Sequence, residues 1–217
     1  MFKLQNPLVV LDLEATAGQD AQGFQTNDYI IDLGAVYLDE ELVSKGSFSR
    51  LVRPEQPINE FIQKLTGITP AMVSDEPLFS QVGSDFTAWV ASLAGNVKKV
   101  RLAAWGNYFD IPLLRKSYQR YGQEFPFSGT AIDIKSLAFL WLSLSGRRTD
   151  KVNLPFFAQH FGLDQGQQHR ALSDAQLTAQ VARCLWHDLQ GVFVPVKEGE
   201  PFRLAHLSWD PSNPERS

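Results

Sequence analysis

Residues 7–13 form an apolar run, Pro7-Leu8-Val9-Val10-Leu11-Asp12-Leu13, broken by a single acid. That pattern predicts a central strand covered on both faces. Residues 29–38 predict a second strand, and residues 46–52, where polar and apolar positions partly alternate, a third. The stretch 15–28 is rich in Gly, Gln, Asp and Asn and predicts a loop, of a length that often carries function in a compact domain. Helical spacing appears over 58–65 and 79–93. Residues 100–105 predict a fourth strand, 111–121 a helix, and 131–133 a short last strand. Helices follow at 136–144, 154–161 and 173–189. Three successive strands and then alternating helices and strands predict an α/β fold, a mixed central sheet flanked by helices.

After Gln190 the periodicity dissolves, interrupted by Pro195, Pro201, Pro211 and Pro214. The expected division is therefore a folded domain over 1–190 and a C-terminal tail over 191–217. The tail is either solvated or laid on the domain through Val192, Phe193, Val194, Phe202, Leu204 and Trp209. At 217 residues the chain is long enough for one domain with a sizeable core. Its 44% hydrophobic and 20% charged residues are those of a soluble globular protein. The lone Cys184 excludes an internal disulfide and fits a reducing compartment. Residues 1–7 lack an apolar export segment, and the longest apolar stretch, 137–144, is too short to cross a bilayer. The expectation is a cytoplasmic protein without a membrane partner.

A net charge of −4 excludes a protein that holds nucleic acid by a broad basic surface. It leaves room for one that grips a few nucleotides at one end, where bound divalent metals reverse the sign of the local field.

Asp12 and Glu14 stand two apart on a predicted strand, so their side chains share a face. Two carboxylates that close repel unless a proton or a cation is shared, and a hard divalent ion with oxygen ligands is the natural partner. A strand-end cap beside an exposed acid is the plainer alternative. Asp110 follows Ala103-Ala104-Trp105 and precedes a helix with Pro112 just inside it, a pattern that also suits a helix cap. Ser173-x-x-Gln176 reads as a capping box, which puts Asp174 in a first helical turn and His169 in the loop before it. A histidine there suits a base that takes a proton from water, or a loop residue bonded to the backbone. His160, His187 and His206 have no acidic partner in such a pattern.

Taken together, Asp12-Leu13-Glu14, Asp110 and His169-Arg170-Ala171-Leu172-Ser173-Asp174 resemble the motifs of the DnaQ-like 3′–5′ exonucleases of the DEDD group, in the variant with a histidine five positions before the last aspartate. Thr16 after the acid pair, Ile30-Ile31-Asp32-Leu33-Gly34-Ala35-Val36 and Leu65-Thr66-Gly67-Ile68-Thr69 extend the resemblance. It runs from about residue 8 to about residue 189. It implies an RNase H-like fold and hydrolysis of phosphodiesters from the 3′ end of single-stranded RNA or DNA with two Mg²⁺ or Mn²⁺ ions. By the same resemblance Asp12 bridges the metals, Glu14 and Asp174 complete the site of the metal carrying the attacking water, Asp110 serves the other, and His169 is the base.

Glu14-Ala15-Thr16, Trp105-Gly106 and Gly166 shortly before His169 lean toward the Eri-type and KapD-like branch, whose better-known members act on RNA, so RNA is slightly favoured over DNA. Phe109 before Asp110 looks more like proofreading subunits. Thr16, Phe24 and Phe109 are the candidate substrate contacts, Phe24 by stacking on the terminal nucleotide. Two other readings are kept: a proofreading or repair subunit acting on DNA, and a non-catalytic nucleic-acid-binding module on the same fold.

Overall fold

The computed structural model describes residues 3–17, 28–146, 149, 151–166 and 169–190, together with the backbone of 193–194 and 203–204. Five strands are β1 (Leu8–Ala15), β2 (Ile30–Leu38), β3 (Ser44–Leu51), β4 (Arg101–Ala104) and β5 (Ala131–Asp133). They form one sheet in the order β3-β2-β1-β4-β5, with β1 at its centre. β1, β2 and β3 pair antiparallel, while β4 and β5 run parallel to β1. The helices are α1 (Glu60–Thr66), α2 (Pro70–Val73), α3 (Phe79–Ala94), α4 (Asp110–Arg120), α5 (Ile134–Leu144), α6 (Leu154–His160) and α7 (Ala171–Gln190). This is the mixed sheet flanked by helices that the sequence predicts.

The unbroken apolar run of β1 follows from burial on both faces. Val9, Leu11, Leu13 and Ala15 join a core with Phe79, Phe86, Leu114 and Tyr118 of α3 and α4. Leu8 and Val10 join the opposite core with Val36, Leu38, Phe157 and the apolar face of α7. Each fully buried Leu or Val contributes roughly 1.5–3 kcal/mol of transfer free energy. Because side chains alternate along a strand, the stripe that begins Leu8, Val10 continues as Asp12, Glu14 on the α7 side.

α7 lies unusually close to the sheet. Gly34 pairs with Asp12 across the ladder, and a Cβ at Gly34 would lie 2.1 Å from backbone atoms of Ala171 and Leu172. Only hydrogen fits between β2 and the first turn of α7. Gly34→Ala is therefore expected to destabilise by about 3 kcal/mol or more, since neither backbone gives way cheaply. Urea unfolding measures this, and a loss under about 0.5 kcal/mol would mean that α7 shifts freely on the sheet.

Two of the helix starts that differ from the sequence reading are explained by their caps. α5 begins two residues before Ser136 because Asp133, the last residue of β5, is also its N-cap, accepting from Lys135 N at 3.0 Å and Ser136 Oγ at 2.6 Å. α7 begins at Ala171, so Ser173 lies inside the first turn and the expected Ser173–Gln176 capping box does not form. Phe193–Val194 and Arg203–Leu204, in the segment expected as a tail, pair as a short antiparallel ribbon. The other residues of 191–217 lie outside the described residues.

Candidate active site

At the carboxyl ends of β1 and β4 opens a cleft of about 320 Å³. Asp12, Glu14, Asp110, His169 and Asp174 all line it. Its apolar walls are Ile62 and Leu65 of α1 with Trp105, Tyr108 and Phe109 of the β4–α4 turn. The five polar positions picked out from the sequence thus meet in one place, although Asp12 and Asp174 are far apart in the chain.

Each side chain arrives for a local reason. Asp12 and Glu14 are carried by the α7-facing stripe of β1. β4 pairs with β1 only from Leu8 to Val10. Beyond that, the Leu13 N–H donates to Asp110 Oδ1 at 2.9 Å. Asp110 is the first residue of α4, and its N-cap, Phe109, makes no side-chain capping bond. The carboxylate accepts from β1 as well as from the start of its own helix, so helix capping alone does not account for it.

His169 adopts a left-handed backbone, with φ of 59°. That bend lets its own N–H donate to Asp174 Oδ2 at 2.9 Å, while Asp174 N bonds back to Arg170 O at 3.0 Å. One ligand atom each from Glu14, His169 and Asp174 lie within 4.8 Å of one another, close enough to share a cation.

The start of α7 is capped from across the sheet. Asp32 Oδ2 on β2 accepts from Arg170 Nε at 3.1 Å and from Ala171 N at 3.3 Å. Asp32 is also the ladder partner of Glu14. The sequence showed Asp32 only as part of a strand, because its opposition to Glu14 depends on the register between β1 and β2.

The electrostatics follow from this crowding. Burial lifts the Asp12 carboxyl well above its ordinary range, and the charges of Asp110, Glu14 and Asp174 push it further. Glu14 is pushed up to about 8, first by burial and then by Asp174, Asp32 and Asp110, with Arg170 pulling the other way. Burial pushes Asp110 up to about 7 against the Leu13 N–H that stabilises its charge. Asp174 is raised by burial and held back by the His169 N–H. The cleft is a set of hard oxygen donors that cannot all be charged without a cation among them.

This has a consequence for stability. Between the ordinary carboxyl range near 4.5 and about 8, folded Glu14 holds a proton that the unfolded chain has released. Folding stability therefore falls as pH rises through that window. Without divalent metal, the wild type is expected to lose about 2 kcal/mol through Glu14 between pH 5 and pH 8, after allowing for screening in an open cleft. For a chain of this size that is roughly 4–8 °C in Tm. Glu14→Gln should flatten the dependence, and Mg²⁺ or Mn²⁺ should offset it in the wild type. A metal-free Tm that rises from pH 5 to 8 would contradict the crowding described.

The candidate substrate contacts fare differently. Thr16 is buried behind the cleft, where its Oγ1 accepts from Tyr29 N at 3.1 Å and Gln56 Nε2 at 2.7 Å. Its carbonyl accepts from Asn59 N at 2.8 Å. Thr16 therefore ties the end of β1 to the segments leading into β2 and α1, between Ala15 and Ala17, which line the cleft. Phe109 does line the cleft, and Phe24 lies outside the described residues. The sequence reading assigned no role to Tyr108, 61% exposed at the rim, or to Leu65. Tyr108 is presented by a turn at Gly106, whose φ of 94° brings the backbone under the ring.

A larger groove of about 510 Å³ lies elsewhere, floored by Leu42, Phe161, Leu163 and Trp186. Its acids Glu40, Glu41 and Asp188 are exposed to solvent, whereas those of the smaller cleft are buried or half-buried, so the chemistry is placed in the smaller cleft. Among the described residues no helix is long and apolar enough to cross a membrane.

Comparison with known proteins identifies the family and the fold. A family model described as an exonuclease, RNase T, matches residues 9–182. DNA polymerase III subunit epsilon of Aquifex aeolicus is 32% identical over 181 residues, covering 82% of this chain and 79% of that protein. A PolC-type DNA polymerase III of Caldanaerobacter subterraneus is 29% identical over 190 residues, which is 87% of this chain. Of it and of the PolC-type polymerase of Clostridium perfringens, the chain spans 12% and 11% of the length. The nuclease domain of 3′hExo, a DEDDh family member solved with rAMP, superposes with a TM-score of 0.70 at 23% identity over 85% of this chain and 93% of that one. Escherichia coli exonuclease I in complex with a dT13 oligonucleotide gives 0.65 at 19% identity over 86% of this chain and 44% of that one. These likenesses show a shared RNase H-like fold.

Proposed function

The chain belongs to the exonuclease family, and from that membership we propose that it removes nucleotides from the 3′ end of single-stranded nucleic acid by a two-metal hydrolysis. One observation carries the reading. Asp12, Glu14, Asp110 and Asp174 arrive from distant segments in a single cleft that penalises their charge, with His169 beside them. Such a donor set fits two hard divalent cations, Mg²⁺ or Mn²⁺. Asp12, Glu14, Asp110 and Asp174 would hold them. When bound, they would make water acidic enough to attack and offset charge on the departing 3′ oxygen.

The chain's own groups do the rest. His169, at the open edge of the cleft, takes the proton of the attacking water. Tyr108 and Phe109, with Leu65 beside them, offer apolar surface for the last bases, where stacking on the aromatic rings gives sequence-tolerant affinity of about 1–3 kcal/mol per base. With a net charge of −4, little long-range attraction to a duplex backbone is available, which favours recognition of an end. The preference for RNA at least as good as DNA rests on the Eri-type residues Glu14-Ala15-Thr16 and Trp105-Gly106. A second reading, editing of DNA beside a polymerase, is supported by the DNA polymerase III relatives.

The test is a time course on 5′-labelled RNA and DNA single strands with Mg²⁺, Mn²⁺ or EDTA. Stepwise shortening from a free 3′ hydroxyl, abolished by EDTA and absent on circular strands, is expected. A tenfold or larger DNA preference would select the editing reading, and cleavage of the circle would overturn exonuclease action. Metal-dependent binding without hydrolysis would leave the non-catalytic module.

A further inference from the structure

Asp32 is an acid placed where chemistry alone would not put one. It is 1% exposed and sits directly across the β1–β2 ladder from Glu14. Like charges opposed on neighbouring strands destabilise a sheet, and burying a carboxylate costs several kcal/mol unless it is paired. A conventional cap for α7 would be a Ser or Thr from the preceding loop, at little cost.

Asp32 does something a local cap does not. One oxygen, Oδ2, receives both the side chain of Arg170 and the main chain of Ala171. These two consecutive residues link His169 to the helical turn carrying Asp174. His169 is left-handed, a conformation that a β-carbon disfavours by roughly 1–2 kcal/mol. Its N–H is in turn bound by Asp174 Oδ2. Gly34, two residues along β2 from Asp32, removes the Cβ that would hold α7 away. The Arg170 side chain is 33% exposed and that of Asp32 only 1%, so the ion pair holds a buried carboxylate from a partly exposed partner.

We propose that Asp32 is a positioning residue of the active site, clamping the bend at 169–171 so that His169 and Asp174 are presented together beside Glu14. The role rests on the nuclease reading, because positioning has value only if those two side chains act on a bound group. It predicts that Asp32 and Arg170 work as one unit, and that loosening them blurs the site while leaving the fold and the stacking walls intact.

Three variants test it: Asp32→Asn, Arg170→Gln and the double substitution. For Asp32→Asn, kcat on a short single strand should fall about 10–100-fold, as for groups that orient metal ligands, with KM changed less than about threefold. Arg170→Gln should fall similarly, and the double variant should be little worse than either single one, because both remove the same clamp. Should Asp32→Asn fail to fold, Arg170→Gln carries the same measurements.

Two readouts do not depend on turnover. The His169 backbone amide, protected by Asp174 in the wild type, should shift and exchange faster in each variant by NMR. Mn²⁺ affinity by calorimetry should fall about 10–100-fold. Folded variants with kcat within twofold of wild type and an unmoved His169 amide would overturn the clamp, leaving Asp32 as a structural cap. If the wild type hydrolyses nothing, the nuclease reading fails, and the amide alone decides: displacement supports the clamp and an unchanged signal overturns it.

Discussion

Asp12→Ala is expected to lower kcat/KM for nucleotide release by about a thousand-fold or more while the metal-free protein melts at or above the wild-type temperature. The loss follows from Asp12's place at the middle of the crowded cleft, facing Glu14, Asp110 and Asp174. Metal assistance is worth several kcal/mol, and each 1.4 kcal/mol or so is a factor of ten in rate. The gain in stability has the opposite sign for the same reason. Without a cation, Asp12 is a desolvated carboxyl among like charges, so its removal relieves repulsion. Asp174→Ala should match the loss of rate but not the gain in Tm, because it also removes the acceptor of the His169 N–H. Steady-state rates with Mg²⁺ or Mn²⁺ and melting curves in EDTA measure both effects. Substantial hydrolysis by purified Asp12→Ala would remove Asp12 from the metal site. A sharp fall in its metal-free Tm would show a structural role instead.

The contrast between Asp12 and Asp32 marks how far the sequence could be read. Asp12 and Glu14 are two apart, and strand geometry alone puts them on one face. The continuous apolar run around them makes that strand central, because only burial on both faces explains it. The order of the sheet could be anticipated to the level of a mixed layer flanked by helices for the same reason. Asp32 reads as one polar position in an apolar strand. Its pairing with Glu14 depends on the register between β1 and β2, and its bonds to Arg170 and Ala171 depend on where α7 lands on the sheet.

Ser173 and Thr16 show the other side of this. Ser173-x-x-Gln176 carries the letters of a capping box. α7 nonetheless begins two residues earlier, because a buried acid on another strand supplies the cap. Thr16 follows the acid pair in the motif and is buried just past the end of β1, where its hydroxyl is engaged by Tyr29 and Gln56. Local patterns indicate which residues are unusual, whereas contacts between distant segments decide what those residues touch.

His169→Ala separates the two roles that geometry allows the imidazole. Its ring lies within ligand distance of Glu14 and Asp174, which would suit a metal ligand, but it is the exposed member of that trio while the two carboxylates are half-buried. Hard divalent ions favour the oxygen donors already present, and an exposed imidazole at the edge of the cleft is better placed to pass a proton to solvent. The expected result is a fall in kcat of about 100- to 10,000-fold, the range typical of a lost general base, with KM little changed. Mn²⁺ affinity and Mn²⁺-dependent retention of a single strand should stay within about threefold of wild type. The backbone bond from residue 169 to Asp174 survives the substitution, so the loss belongs to the imidazole and not to the bend. Loss of metal-dependent substrate binding in a folded His169→Ala protein would make the histidine a ligand and leave the proton to another acceptor. Because Asp32→Asn is expected to move the same amide without removing the ring, the two variants together separate the group that takes the proton from the clamp that aims it.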